Sequence, residues 1–178
     1  MYYSATGTGY ISTPSFAIPN TGILTVEAWM KSVANVTASQ TIVGESVAGD
    51  ANGYLWLFRW HGVSSQNDLG YGISSMGNRN IYNFFQNLDN QWIHIVLVCD
   101  YSNKTLKAYR NGVLFWTDLS MTGTPIFPLT SRVRYIGSYN SSGGKLTDGS
   151  LDEVRIYNRG LGADEVAARY NSTRGRYQ

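Results

Sequence analysis

The sequence is short of the side chains that most often carry chemistry. Its 178 residues hold one cysteine and two histidines, His61 and His94. A single cysteine excludes an intramolecular disulfide framework. Cys99 ends the apolar run Trp-Ile-His-Ile-Val-Leu-Val-Cys (92–99), so it reads as a buried, inert thiol and not as a nucleophile. One histidine near a given site makes neither a zinc centre nor a catalytic triad. Gly-x-Ser-x-Gly, the nucleophile elbow, is absent, as is any EF-hand pattern. Charge is scarce too. Fourteen basic and twelve acidic side chains leave a net charge of +2, with no basic stripe of the kind nucleic-acid binding needs. Arg169, Arg174 and Arg176 near the C-terminus read as a solvated chain end. No apolar run reaches 18 residues, so no helix is expected to insert in a membrane. The opening Met-Tyr-Tyr-Ser-Ala-Thr-Gly-Thr-Gly-Tyr lacks the basic and apolar regions of a secretory signal. That start fits a segment excised from a longer protein, or a protein made in a cytosol and released by lysis, as a virion protein is.

What the sequence does have is 19 glycines, 13 tyrosines and many Ser, Thr and Asn residues punctuating short apolar runs. That is the pattern of an all-β sandwich, and the length fits one domain over residues 1–178. Strands are expected near 9–13, 24–31, 40–45, 53–60, 68–74, 80–85, 91–100, 104–110, 113–117, 132–137 and 150–157. In 92–100, Trp92, His94, Val96 and Val98 share one face and Ile93, Ile95, Leu97 and Cys99 the other. Both faces are largely apolar, so this strand should lie centrally and be covered on both sides. Asn111-Gly112 is the favoured two-residue hairpin turn, since both positions need positive φ. In 150–157, Val154 and Ile156 face one way and Glu153, Arg155 and Tyr157 the other. A short helix follows. Gly162 stands at its cap, Glu165 where a capping box would place it, and Leu161 and Val166 at the two positions of a hydrophobic staple. Val166 and Tyr170, four apart, form its apolar stripe. A helix so short must dock on the sandwich to be stable.

Four blocks, in order, carry a family resemblance: Gly-Ile-Leu-Thr-Val-Glu-Ala-Trp-Met-Lys (22–31), residues 91–115 from Gln-Trp-Ile-His to Asn-Gly-Val-Leu-Phe, Arg-Tyr-Ile-Gly-Ser (134–138), and Gly149–Asn171, which contains Leu-Asp-Glu-Val-Arg-Ile-Tyr. The chain resembles the laminin-G-like, pentraxin-like branch of the concanavalin A-like lectin/glucanase superfamily. The resemblance implies a jelly roll of two curved antiparallel sheets closed by one short C-terminal helix. It also implies a structural calcium ion, to which Asp152 would contribute a carboxylate, with Asp148 as a neighbouring ligand. The competing reading is that Asp152 satisfies local amides and that Asp148-Gly149 is a plain turn. The glucanases of the superfamily hydrolyse sugars with paired carboxylates about 5 Å apart on a Glu-x-Asp-x-Glu strand. This chain has no such triplet, and adjacent Asp152 and Glu153 should point to opposite faces, so catalysis is not expected.

Ligand-binding candidates cluster in Gly-Tyr-Leu-Trp-Leu-Phe-Arg-Trp-His-Gly (53–62). Tyr54, Trp56, Phe58 and Trp60 share one face; Leu55, Leu57, Arg59 and His61 share the other. If the leucines point into the core, the four aromatics form an exposed row suited to stacking on sugar rings or a partner protein. If the aromatics point inward, Arg59 and His61 face outward. The family pattern favours this second arrangement, with Trp60, at the end, open to a ligand. Tyr71, Tyr82 and Tyr139, near turns, join them, while His94 reads as a satisfied core residue. Two functions follow. One is a non-catalytic recognition or adhesion module, externally displayed or on a virion surface, binding glycan at a loop rim or on the concave sheet with calcium nearby. The other is a structural decoration domain of a virion or appendage, packing against surface proteins or copies of itself. Aromatics beside Asn or Asp in a groove would favour sugar; an aromatic patch on a flat face would favour assembly.

Overall fold

The computed structural model describes residues 3–6, 9–18, 22–33, 40–45, 55–59, 67–73, 78–119, 121, 129–139 and 148–178. The first strands are β1 (Tyr3–Thr6), β2 (Ile11–Ser12), β3 (Phe16–Ile18), β4 (Ile23–Ser32) and β5 (Gln40–Gly44). Next come β6 (Leu55–Arg59), β7 (Leu69–Ile73), β8 (Asn78–Ile81), β9 (Trp92–Asp100) and β10 (Thr105–Arg110). The chain closes with β11 (Val113–Asp118), β12 (Leu129–Arg132), β13 (Tyr135–Ile136), β14 (Asp148–Tyr157), helix α1 (Ala163–Thr173) and a 3₁₀ turn at Arg174–Arg176. The strands form a six-stranded sheet in the order β1-β14-β4-β9-β10-β11 and a second of order β2-β13-β5-β6-β7-β8, with β12 and β3 as a separate pair. Every recorded pairing is antiparallel. This is the expected jelly-roll sandwich.

Period-two alternation decides what each strand buries. Leu24, Val26, Ala28 and Met30 of β4 and Ile93, Ile95, Leu97 and Cys99 of β9 meet Ile42, Leu57, Leu69, Tyr71 and Ile81 of the second sheet in one apolar core. Burial pushes the Cys99 thiol well above its ordinary range, which keeps it protonated. The far face of the first sheet holds a second cluster, in which Val96, Val98 and Tyr109 pack with Leu161 and Val166. Helix α1 therefore makes a third layer on the outside of the first sheet. Leu161 and Val166 are the staple pair, and burying each contributes roughly 1.5–3 kcal/mol relative to exposure. Gly162 caps the helix in extended geometry without a side-chain bond. Glu165 does not complete a capping box: its carboxylate takes two 2.7 Å hydrogen bonds from Arg159 instead.

Asn111 and Gly112 adopt φ of 52° and 80°, as the two-residue turn requires. Gly112 is demanded twice, because a Cβ there would sit 3.0 Å from the Tyr170 side chain. Three expected strands changed shape. Residues 132–137 split into β12 and β13, because between them Arg134 turns inward to meet buried Glu45 at 2.8 Å and donate to the Phe16 carbonyl at 2.6 Å. The 80–85 strand stops at Ile81: the Asn83 N–H donates to Asp68 Oδ1 at 2.9 Å, Asn83 takes φ of 60°, and Phe84 and Phe85 drop into the core. Of 9–13, only Ile11–Ser12 pairs.

In β14 a bulge separates Asp152, opposite Trp29, from Arg155, opposite Glu27. Glu153 supplies the extra residue at φ of 52°. The bulge brings Leu151, Val154 and Ile156 all to the core. It also corrects the expectation for the two acids. Asp152 and Glu153 do not diverge; both reach the C-terminal segment.

Candidate functional site

The face of the first sheet beneath α1 carries a polar network as well as apolar cover. Glu27 of β4, 2% exposed, accepts a hydrogen bond from His94 Nε2 at 2.9 Å and one from the Tyr157 hydroxyl at 2.5 Å. Arg169 of α1 reaches it at 3.4 Å and Arg155 at 3.7 Å. Burial pushes the Glu27 carboxyl up, but the hydrogen bonds from His94 and Tyr157, with the charges of His94 and Arg169, outweigh it and hold the group below its ordinary value. Burial, then the Glu27 hydrogen bond and charge, push Tyr157 up to about 12. His94 is buried as expected, yet its Nδ1 has no hydrogen-bond partner.

Next to this network the alternation brings Trp29 and Lys31 of β4 and Trp92 of β9 to the same face, with Trp29 opposite His94 and Lys31 opposite Trp92. The helix and the chain end close over them. The Trp29 indole donates to Thr173 Oγ1 at 3.2 Å and stacks with Tyr177 at 4.1 Å and Tyr170 at 5.7 Å. The Trp92 ring lies 4.9 Å from Tyr177. The C-terminus is tied down at two points: the Tyr177 hydroxyl donates to Asp152 Oδ2 at 2.7 Å, and Arg176 meets Glu153 at 2.8 Å. The arginines there are thus not all a solvated end, since Arg169 and Arg176 are ion-paired.

Between these parts opens a cleft of about 400 Å³. Its aromatic walls are Trp29, Trp92, Tyr170 and Tyr177, and Asn90, Gln91 and Asn111 with Lys31 and Arg174 add polar groups. Ring faces beside amide and cationic donors in a concavity can hold a sugar, stacking on its C–H face and hydrogen-bonding its hydroxyls. Asn111 Oδ1 already accepts the His94 backbone N–H at 2.9 Å, so the group it has left for a ligand is its amide N–H₂.

None of the ligand-binding candidates among the described residues lines this cleft. Trp60 and His61 lie outside the described residues, as do the side chains of Trp56 and Phe58. Arg59 corrects the outward expectation. It is buried with Leu57, paired with Asp89 at 2.8 Å, bonded to Asn67 at 3.2 Å and set over the Phe85 ring. A salt bridge and an aromatic face make that burial tolerable. Tyr71 is likewise a core residue at 2% exposure, because β7 sits inside the second sheet between β6 and β8. Tyr82 is exposed on the turn after β8. Tyr139 is half-buried beside Gly44 of β5, past the end of β13, and does not line the cleft. The missed residues did leave a signal. Trp92 shares a strand face with His94, and Tyr170 stands on the apolar stripe of a helix that had to dock somewhere.

Asp152 does not fit the role of calcium ligand. Oδ1 accepts the Glu153 N–H at 2.8 Å and Oδ2 the Tyr177 hydroxyl, so both oxygens face protein donors. The side chain of Asp148 lies outside the described residues, and no three His, Cys, Asp or Glu side chains converge among the described ones. Asp152 and Glu153 also make no acid–base pair, because Glu153 is held by Arg155 and Arg176. No helix among the described residues is long and apolar enough to cross a membrane.

Known structures share this fold. A heptameric SAP-like pentraxin of Limulus polyphemus superposes with a TM-score of 0.70 at 17% identity, over 93% of this chain and 79% of the pentraxin. The botulinum neurotoxin serotype D ligand-binding domain, solved in complex with N-acetylneuraminic acid, gives 0.67 at 13% identity over 97% of this chain. A botulinum neurotoxin type C structure concerned with ganglioside-dependent cell entry gives 0.59 at 17% identity over 86%. The chain spans 42% and 36% of those two toxin chains. No curated protein sequence is a match. The family model for laminin-G-like domains matches residues 5–167, almost the whole sandwich and half the helix. The chain belongs to the concanavalin A-like lectin/glucanases superfamily, in its laminin-G-like part.

Proposed function

We propose that this chain is a non-catalytic carbohydrate-recognition module whose sugar site is the cleft between α1 and the β4–β9 face. The observation that carries the reading is the convergence of four aromatic residues with four amide residues, Asn90, Gln91, Asn111 and Gln178, in one concavity of about 400 Å³, within the size range of small-ligand sites. The structures that share its fold include domains whose ligands are sugars, which supports the reading without identifying the sugar. Display outside a cell or on a virion surface is part of the same proposal, since glycan partners are found there.

The test is a glycan array of the purified protein, run with calcium and again with chelator, for wild type and Trp92→Ala. Binding to a defined sugar class, weakened about tenfold by Trp92→Ala, is the expected result. Because Asp152 faces protein donors, binding should survive the chelator; loss with chelator would bring calcium into the site. A blank array from folded protein would sink the reading. One observation favours the second function: Val113, Leu114 and Leu119 are 69%, 48% and 74% exposed on or beside β11, an edge strand of the first sheet. An apolar open edge is suited to protein contact. If that function holds, sedimentation should show self-association that Leu114→Lys abolishes.

A further inference from the structure

We propose that the ligand of the cleft is an acidic saccharide, whose carboxylate or sulfate sits between Lys31 and Arg174. The proposal rests on the carbohydrate reading of the same cleft and names its ligand class. It starts from how the other arginines are used. Among the described residues, Arg59 pairs with Asp89, Arg134 with Glu45, Arg159 with Glu165 and Arg176 with Glu153. Arg155 and Arg169 share Glu27 and hold Glu153 and Glu165 respectively. Arg110 donates to the Phe84 carbonyl at 2.8 Å and covers the Phe115 ring.

Arg174 breaks this pattern. Its guanidinium lies 5.8 Å from the centroid of the Tyr170 ring, and no carboxylate pairs with it among the described residues. Lys31, across the cleft on β4, has no carboxylate partner there either. The cleft is lined by both cations, by no Asp or Glu side chain, and by Gln178 at the chain end. Among the described residues Lys104, Lys107 and Arg110 likewise have no carboxylate partner, but Lys31 and Arg174 are the two such cations that line this one concavity. Two cations lining one cleft attract an anion placed between them. A guanidinium free of carboxylate partners can receive a planar carboxylate or a sulfate through paired N–H donors. The amide N–H₂ of Asn111 adds a neutral donor, and Trp92 and Tyr177 offer ring faces for the pyranose. Neutral sugar would use the rings and amides alone and leave both charges unanswered.

The experiment prints neutral and acidic glycans in matched pairs, among them lactose, sialyllactose and sulfated lactose. It reads wild type, Arg174→Gln, Lys31→Gln and Trp92→Ala, each checked for folding by circular dichroism. Acidic members should bind at least tenfold more tightly than their neutral partners. That advantage should shrink as salt is raised towards 1 M, where screening shortens to about 3 Å. Arg174→Gln and Lys31→Gln should each bring the acidic glycans down towards the wild-type level for neutral ones. Preference for sialyllactose over sulfated lactose would identify a carboxylate ligand, and the reverse order a sulfate. Equal binding of acidic and neutral partners would overturn the inference while leaving the carbohydrate reading in place. Absence of all binding, or binding indifferent to Trp92→Ala, would overturn the reading beneath it.

Discussion

On the side of β4 and β9 turned to the second sheet, Leu24, Val26, Met30, Ile93, Ile95 and Leu97 form a dry aliphatic layer. On the side turned to α1, the same two strands carry Thr25, Glu27, Trp29 and His94, all buried as well. The first face packs by area, which any apolar side chain of suitable volume can supply. The second packs by direction. Thr25 donates to the Arg159 carbonyl at 2.7 Å and accepts the Leu161 N–H at 3.2 Å, and Glu27 ties β9, β14 and α1 to one carboxylate. A single helix cannot cover a sheet as broadly as another sheet does. Specific polar contacts hold it in one register, and beyond its edge the strand face opens as the cleft. Stability and candidate function thus sit on opposite sides of the same two strands.

The comparison can be broken first on its aliphatic side. Leu97→Ala should cost about 2–5 kcal/mol through lost burial and a residual cavity, read as a lower urea midpoint. An effect below about 1 kcal/mol would mean that this layer is not the main source of stability. On the directional side, Glu27→Gln should cost about 1–3 kcal/mol, because Tyr157 and His94 lose a charged acceptor in a buried site. That loss should be accompanied by faster amide exchange in α1 and not in the second sheet.

Acid sharpens the contrast. The Glu27 carboxyl is held below its ordinary value, and Glu165 is drawn to about 2 by its hydrogen bonds from Arg159 against burial, with the Arg159 charge and Arg169 adding to the effect. A depressed carboxyl means that the unfolded chain binds more protons, so stability rises with pH across this range. The contribution is complete above the ordinary value of 4.5 and is lost as pH falls towards 2. Denaturant midpoints at pH 7 and pH 3 should therefore differ in wild type, and by less in Glu27→Gln. The smallest effect belongs to Gly162→Ser. The cap has φ −72° and ψ 159°, and a Cβ there meets nothing within 4 Å. The added hydroxyl can accept the N–H it lacks a partner for now, raising stability by a few tenths to about 1 kcal/mol. A lower melting temperature would refute that account of the cap.

Elements whose signal is local were legible in the sequence. The apolar strand at 92–100, the Asn111-Gly112 turn and the Leu161–Val166 staple each follow from backbone geometry over a few residues, and each stands where expected. Strand 53–60 shows the limit. Its alternation separates Leu57 and Arg59 from Trp56 and Phe58, but periodicity does not say which set goes inside. Asp89 and Phe85, distant in sequence, supply the charge and the ring that draw Arg59 inward. The Asp152–Glu153 pair shows another limit, since one bulge residue at positive φ cancels the parity on which a face assignment depends.

By itself, the sequence determined an antiparallel sandwich with a short docked helix, because two-residue and 3.6-residue periods, turn chemistry and capping are properties of neighbouring residues. Membership of its superfamily was readable from the same local blocks in their order. The cleft was decided only in three dimensions. Trp29, Trp92, Tyr170 and Tyr177 come from two strands, a helix and the chain end, and cross-strand register and helix docking bring them together. Charge was settled there as well. Arg169, Arg174 and Arg176 look alike in sequence, but a carboxylate lies within reach of the first and the third, and the second faces the cleft.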